Sequence, residues 1–286
     1  MFTAPETQLA RAIELFQRQQ LEEAQRCLQQ VLRVQPRNFD ALHVMGVVLA
    51  LRGQREQALE HFYKAARIQP NHPRLNFNYA RLLAESGQDE KALPVHQKAV
   101  QAAPDYAPAW LNYGQSLMRL QRVAEARECF ERALALQPDY PEAQSRLASV
   151  LAQAGEHDRA LALFDQALAR MPDLVDALFN KGMLLDDLRR YPEAAEVFAE
   201  VVRLDPGYAK AWMNLGVALE RSGQAARAIE AYRRTSEADP SMPDPHHNLG
   251  ILLLGARDYA QGWVEHEWRL EMNDLGSFGK TLGAPR

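Results

Sequence analysis

Seven prolines stand 34 residues apart along the chain: Pro36, Pro70, Pro104, Pro138, Pro172, Pro206 and Pro240. Proline has no N–H to give a helix and disfavours helical backbone in the residue before it, so each one marks a stop. Stops in such register mean copies of one unit. When each unit is numbered so that its proline falls at position 32, position 8 reads Ala12, Gly46, Ala80, Gly114, Ala148, Gly182, Gly216 and Gly250. Position 20 reads Ala24, Ala58, Ala92, Ala126, Ala160, Ala194, Ala228 and Gly262, and position 24 carries Phe62, Phe130, Phe164, Phe198 and Tyr232. Small residues at 8 and 20 let two antiparallel helices approach closely, and the large residue at 24 fills the space beside them. Positions 4, 7, 8 and 11 add an apolar stripe at helical spacing, as in Trp110, Tyr113, Gly114 and Leu117. The turn between the two helices holds Gly53, Gly87, Gly155 and Gly223, each suited to the left-handed residue that closes a helix. Gln121 and Arg189 stand there in units four and six, so those two turns are expected to differ.

The pattern resembles the tetratricopeptide repeat family over roughly residues 5–274, and a 34-residue period is the length of that family's helix–turn–helix. The resemblance implies an all-α, right-handed superhelical solenoid of about eight repeats. Their bounds fall near 5–38, 39–72, 73–106, 107–140, 141–174, 175–208, 209–242 and 243–274. The first copy is the most polar, with Gln8 and Arg11 on its stripe, as an exposed solenoid end requires. The last is a modified cap, with Gly262–Trp263 where alanine recurs and Asp274 where proline recurs. The solenoid is therefore expected to span 1–274, with 275–286 a glycine-rich tail or linker. An unbroken repeat makes this one domain, although 286 residues would ordinarily suggest about two.

Composition narrows the partners. A net charge of −4 argues against nucleic acid, which wants a basic face. No run approaches the ~20 apolar residues of a membrane helix. Glu6, Arg11 and Glu14 interrupt the N-terminal stretch where a signal peptide needs an apolar core, so a cytoplasmic location is expected. Cys27 and Cys129 occupy position 23 of repeats one and four. Layers about 8–10 Å thick would hold them tens of ångströms apart, beyond the roughly 7 Å limit of a disulfide, so both are expected as reduced thiols.

Position 6 of the first helix is Asn78, Asn112, Asn180, Asn214 and Asn248, with Arg146 in repeat five. The register puts them in one line, and the family resemblance places that line in a concave groove. Asparagine is roughly 0.6 kcal/mol worse than alanine in a helix, so helix stability does not explain it. An amide both donates and accepts, so a row of them can hold the backbone of an extended peptide without reading its sequence. A similar ladder lines the peptide groove of the O-linked N-acetylglucosamine transferases. Copying of one ancestral unit would also reproduce the row. Around it, Arg74, Arg81, Arg119 and Arg146 make repeats three to five basic, although Glu85 and Glu142 stand among them. Asp176, Asp186 and Asp187 make repeat six acidic, and Phe179, Met183, Met213, Val217 and Ile251 are apolar. A solvated charge pattern with no partner is the plain alternative, and the chain's own C-terminal segment could cover the apolar group. The carboxylate clamp of chaperone-binding relatives is a poor match, since Phe77, Arg81 and Glu142 stand against its pattern and only Arg146 fits.

No chemistry is legible. His246 and His247 are neighbours on a helix and point about 100° apart, so no metal site is expected. No serine–histidine–aspartate spacing occurs, so no catalytic residue and no cofactor are expected. The string DLGSFGKT ends like a phosphate loop, but Asp274 replaces its first glycine and no strand precedes it. The segment with Gly262, Trp263, Glu267, Trp268 and Arg269 resembles bacterial proteins in which a tetratricopeptide array leads into a glycosyltransferase-like domain. The first expectation is thus a non-catalytic scaffold whose partner is an extended protein or peptide segment. Asn78, Asn112, Asn180, Asn214 and Asn248 would hold its backbone, and Arg74, Arg81, Arg146, Asp186 and Asp187 would select its charges. The alternative is the substrate-binding arm of a glycosyltransferase whose catalytic domain lies elsewhere. Self-association through exposed ends or the groove is a third.

Overall fold

The computed structural model describes residues 4–267, which form sixteen helices and no strand. The architecture is all-α and of the solenoid type. Trp268, Arg269, the phosphate-loop-like string and the tail 275–286 lie outside the described residues.

The chain divides into two compact units, one ending at Arg146 and one starting at Leu147. The first contains α1 (Pro5–Gln17), α2 (Leu21–Val34), α3 (Phe39–Leu51), α4 (Arg55–Ala66), α5 (Pro73–Glu85), α6 (Asp89–Ala102), α7 (Ala107–Arg119) and α8 (Val123–Leu136). Each packs on the next, and α1, α3, α5 and α7 also touch one another in series. Helix α9 (Pro141–Gln153) carries the chain past the division. The second unit continues with α10 (His157–Arg170), α11 (Val175–Asp187), α12 (Tyr191–Leu204), α13 (Ala209–Arg221), α14 (Ala225–Ala238), α15 (Asp244–Gly255) and α16 (Tyr259–His266). From α10 onward each helix again packs on the next, and α11 touches α13.

The close approach expected of positions 8 and 24 is the central contact of the core. A Cβ on Gly46, Gly114, Gly182 or Gly216 would lie 2.5–2.7 Å from the ring of Phe62, Phe130, Phe198 or Tyr232, respectively. Those rings are at most 1% exposed, and each contributes on the order of 1.5–3 kcal/mol by burial. Where position 8 is Ala12, its partner is the smaller Leu28. In the last pair a Cβ on Gly250 would meet the backbone nitrogen of His266 at 2.6 Å, so there the helices themselves close in.

Position 4 holds more than an apolar stripe. The ring N–H groups of Trp110 and Trp212 donate to the carbonyls of Pro104 and Pro206 at 3.0 and 2.9 Å. The side-chain amides of Asn76 and Gln144 do the same to Pro70 and Pro138, at 2.9 Å each. The first helix of a repeat is thereby tied to the proline before it, and the carbonyl left over at a helix stop is satisfied.

One expectation about the turns is corrected. Gln121 and Arg189 adopt φ of 60° and 58°, close to the 71–79° of the four turn glycines, and Gln19 and Arg257 do likewise. The turns share one conformation because the helices on either side fix it, and these residues accept a left-handed backbone costing about 1–2 kcal/mol. Cys27 and Cys129 are free and buried, as expected. Burial pushes the Cys129 thiol up to about 12, so it is no nucleophile.

Two stability measurements follow. Gly114→Ala should lower the thermal midpoint, although alanine is the better helix former by about 1 kcal/mol, and adding Phe130→Leu should restore part of the loss. Gly87→Gln should also lower it, whereas Gln121→Gly should not.

Candidate functional site

The position-6 residues all lie half-buried on the first helix of their repeats, Asn78, Asn112 and Arg146 in the first unit and Asn180, Asn214 and Asn248 in the second. Series contact among α3, α5 and α7 explains why the first row falls into line. The amides reach backward along the stack. Asn78 Nδ2 donates to His43 Nε2 at 3.2 Å, Asn180 Nδ2 to Ser149 Oγ at 3.3 Å, and Asn214 Nδ2 to Met183 Sδ at 3.2 Å. Asn248 hydrogen-bonds the Tyr232 hydroxyl, which itself donates to Glu220 Oε2 at 2.7 Å. The Asn112 side chain makes no hydrogen bond to another described residue. In each engaged amide the oxygen and one N–H keep capacity for a ligand.

The charges sort differently from the sequence expectation. Arg119 does not present a free cation to a partner. Its Nε and one Nη grip both carboxylate oxygens of Asp89 at 2.8 and 2.7 Å, and that Nη also reaches Ser116 Oγ at 3.2 Å. Arg81 bridges Glu85 at 3.2 Å with both side chains nearly half exposed, a pair of small value. Arg74 is exposed and forms no ion pair among the described residues. Asp186 is bridged by Arg221 at 2.7 Å, and that guanidinium stands 5.3 Å over the Tyr191 ring. Asp187 is the exposed member of the acidic pair.

Aromatic rings where one repeat meets the next were missed. Phe77 meets Tyr106 edge-on with centroids 5.1 Å apart, and Phe179 stacks on Tyr208 at 5.0 Å. His43 packs beside His72 at 5.6 Å, and His72 Nδ1 accepts the Leu75 amide at the start of α5. The signal was present in the recurrence of Tyr106, Tyr140 and Tyr208 at position 34. At the C-terminal end, Trp263 is 56% exposed and meets His266 edge-on at 5.9 Å, so it does not cap the last apolar face. A Cβ on Gly262 would lie 2.9 Å from the Leu254 nitrogen, which is reason enough for a glycine there.

Repeat three replaces the position-24 ring by His96, which is fully buried, stacked on Tyr113 at 5.7 Å and 3.2 Å from Ser116 Oγ. Burial, and then the Arg119 charge, pull it down to about 4. Burial and His72 do the same to His43, also to about 4. Burial alone would raise Asp89, but its hydrogen bonds to Arg119 and Ser116 hold it below the usual carboxylate range. Among the described residues no three histidine, cysteine or acidic side chains are placed to hold a metal ion. No described helix is long and apolar enough to cross a membrane.

These histidines carry a pH prediction. From about 6.5 down to about 4 the unfolded chain takes up protons that the folded one refuses. Stability is therefore full above about 6.5 and falls as pH drops through 4, by on the order of 1–3 kcal/mol per histidine. Thermal melts of His96→Phe should show a larger gain over the parent at pH 4.5 than at 7.5. Phe164 already sits fully buried at this position in repeat five, where position 8 is alanine as in repeat three.

Family models described as tetratricopeptide repeat match residues 9–73, 111–175, 179–243 and 73–116. The sequence has no match among curated proteins. Among solved structures, a tetratricopeptide repeat protein from Parabacteroides merdae is similar with a TM-score of 0.64 at 18% identity, covering 87% of this chain and 98% of that one. YrrB, described as a TPR protein with an unusual peptide-binding site, gives 0.53 at 26% identity, with 70% and 99% covered. PilF of Pseudomonas aeruginosa gives 0.63 at 23% identity, with 72% and 94% covered.

Proposed function

Because the chain belongs to the tetratricopeptide repeat family, whose stacked helices make concave binding surfaces, we propose that it is a non-catalytic scaffold. It holds an extended segment of a partner protein against its first helices. The observation that carries this reading is the amide row. Asparagines recur at one register position, are half-buried, and keep hydrogen-bonding capacity after their contacts to the preceding repeat. An extended peptide has unpaired N–H and C=O groups every residue, and a line of amides satisfies them whatever the side chains. Arg74, Arg81, Arg146 and Asp187 then bias which charges lie beside them. Asp186 takes part through its bridge to Arg221 rather than as a bare carboxylate. The solved relative described as having an unusual peptide-binding site supports the ligand class.

A second reading, the substrate-binding arm of a glycosyltransferase, draws on α16, where Tyr259, Trp263 and Val264 stand 56–66% exposed. Such an apolar face suits attachment to a further body. The matched family models, and the Parabacteroides merdae and YrrB structures, are described as tetratricopeptide proteins, so the scaffold reading leads.

A random peptide library displayed on phage supplies the probe. A synthetic version of a selected peptide should lose at least roughly 10-fold, and up to about 1,000-fold, in affinity when Asn112, Asn180 and Asn214 are all replaced by alanine, at about 0.5–1.5 kcal/mol per amide contact. The thermal midpoint should hardly move. Unchanged affinity overturns the reading.

A further inference from the structure

Between α5 and the connection that leads into α7, the first unit holds a cavity of about 690 Å³, within the range of small-ligand sites. Ala99, Ala103 and Ala109 line it with short side chains that take up little of the volume. Phe77 and Tyr106 line it together as one edge-on pair, with centroids 5.1 Å apart and planes at 76°. Tyr106 remains 44% exposed although it is large and aromatic, the profile of a residue that anchors a partner.

The mouth is polar and donor-rich. Arg74 lines it, exposed and without an ion pair among the described residues, whereas Arg81 and Arg119 are both engaged. His72 lines it too. Its Nδ1 accepts the Leu75 amide, so its proton is on Nε2, which is a donor. Asp105 is the one acid among the lining residues and can accept a backbone N–H from whatever enters.

The second unit supplies an internal comparison. There the equivalent rings, Phe179 and Tyr208, stack with an interplanar angle of only 21°, and the residue equivalent to Arg74 is Asp176. The edge-on pair beside a cation is therefore not repeated in repeat six.

We propose that the slot beside Phe77 and Tyr106 is a side-chain pocket that takes a large apolar residue of the partner segment with a carboxylate next to it, the carboxylate meeting Arg74. This rests on the groove reading and names the chemistry the groove selects: an acidic–apolar pair within an extended peptide. The small alanines leave room for the apolar group, the ring pair packs against it, Arg74 offsets the charge of the anion and His72 Nε2–H donates to it. A segment with a basic residue in that place would meet Arg74 as a like charge and be rejected.

The test uses the full chain and two small probes, N-acetyl-phenylalanine, which carries a carboxylate, and its neutral amide. In amide-detected NMR titrations to about 20 mM, above the millimolar affinity expected of such fragments, the carboxylate probe should shift resonances of residues 72–78 and 103–109. It should bind about five-fold tighter than the neutral amide, the value of an exposed ion pair. Arg74→Ala should bring the two probes to equal affinity without altering resonances elsewhere. Shifts confined to other residues, no shifts, or no preference between the probes overturns the proposal. Failure here is separable from failure of the groove. A library-selected peptide that still depends on the asparagines, with no probe at the slot, removes the slot alone. Shifts at the slot with a peptide indifferent to the asparagines removes the amide row alone.

Discussion

The contact between a position-8 glycine and a position-24 ring governs how the helix pairs are built. With a ring atom only 2.5–2.7 Å from where a Cβ would stand, the two helices of a repeat can meet at that crossing in one way. The crossing fixes the turn, and it does so firmly enough that Gln121 and Arg189 accept a left-handed backbone. The turn and the proline stop then fix where the next repeat begins. The bonds from Trp110, Trp212, Asn76 and Gln144 to the preceding proline carbonyls fasten that junction. Within each unit a residue at position 6 consequently has its counterpart in the same place on the next first helix.

The repeat, its helices and its small-against-large seam were legible because they are properties of spacing. The prolines and the recurrence of alanine or glycine at position 8 with a large residue at position 24 carry them without any tertiary information. What spacing does not carry is the choice among several possible partners. Arg119 reads as a groove cation, yet Asp89 lies thirty residues before it in the chain and beside it in the fold. Asp186 reads as a bare acid, yet Arg221 of the next repeat reaches it. Trp110 reads as apolar filling, whereas its N–H needs an acceptor and finds the Pro104 carbonyl. The aromatic pairs at the repeat junctions were hidden because their members sit at opposite ends of a repeat, at positions 5 and 34.

The site is correspondingly a graded one. Asn78, Asn180 and Asn214 engage the preceding repeat through one N–H, which restrains the amide and leaves its oxygen without a bond to the scaffold. The charges around them are partly spent on the scaffold itself, Arg119 on Asp89 and Asp186 on Arg221, while Arg74, Arg81 and Asp187 stay exposed. Fewer free charges make for weaker long-range attraction and a larger share of recognition by shape and by backbone hydrogen bonds. Such a surface suits partners that share a conformation rather than a charge pattern.

The most direct test of the central claim is where a bound peptide lies. A library-selected peptide carrying a photoreactive benzophenone side chain can be cross-linked to the full chain and the attachment sites read by mass spectrometry. Attachment to α5, α7, α11 and α13 at residues flanking the asparagine row is the predicted result. Attachment chiefly to the second helices α6, α8, α12 and α14 would contradict it, and the amide row would then be a relic of repeat copying.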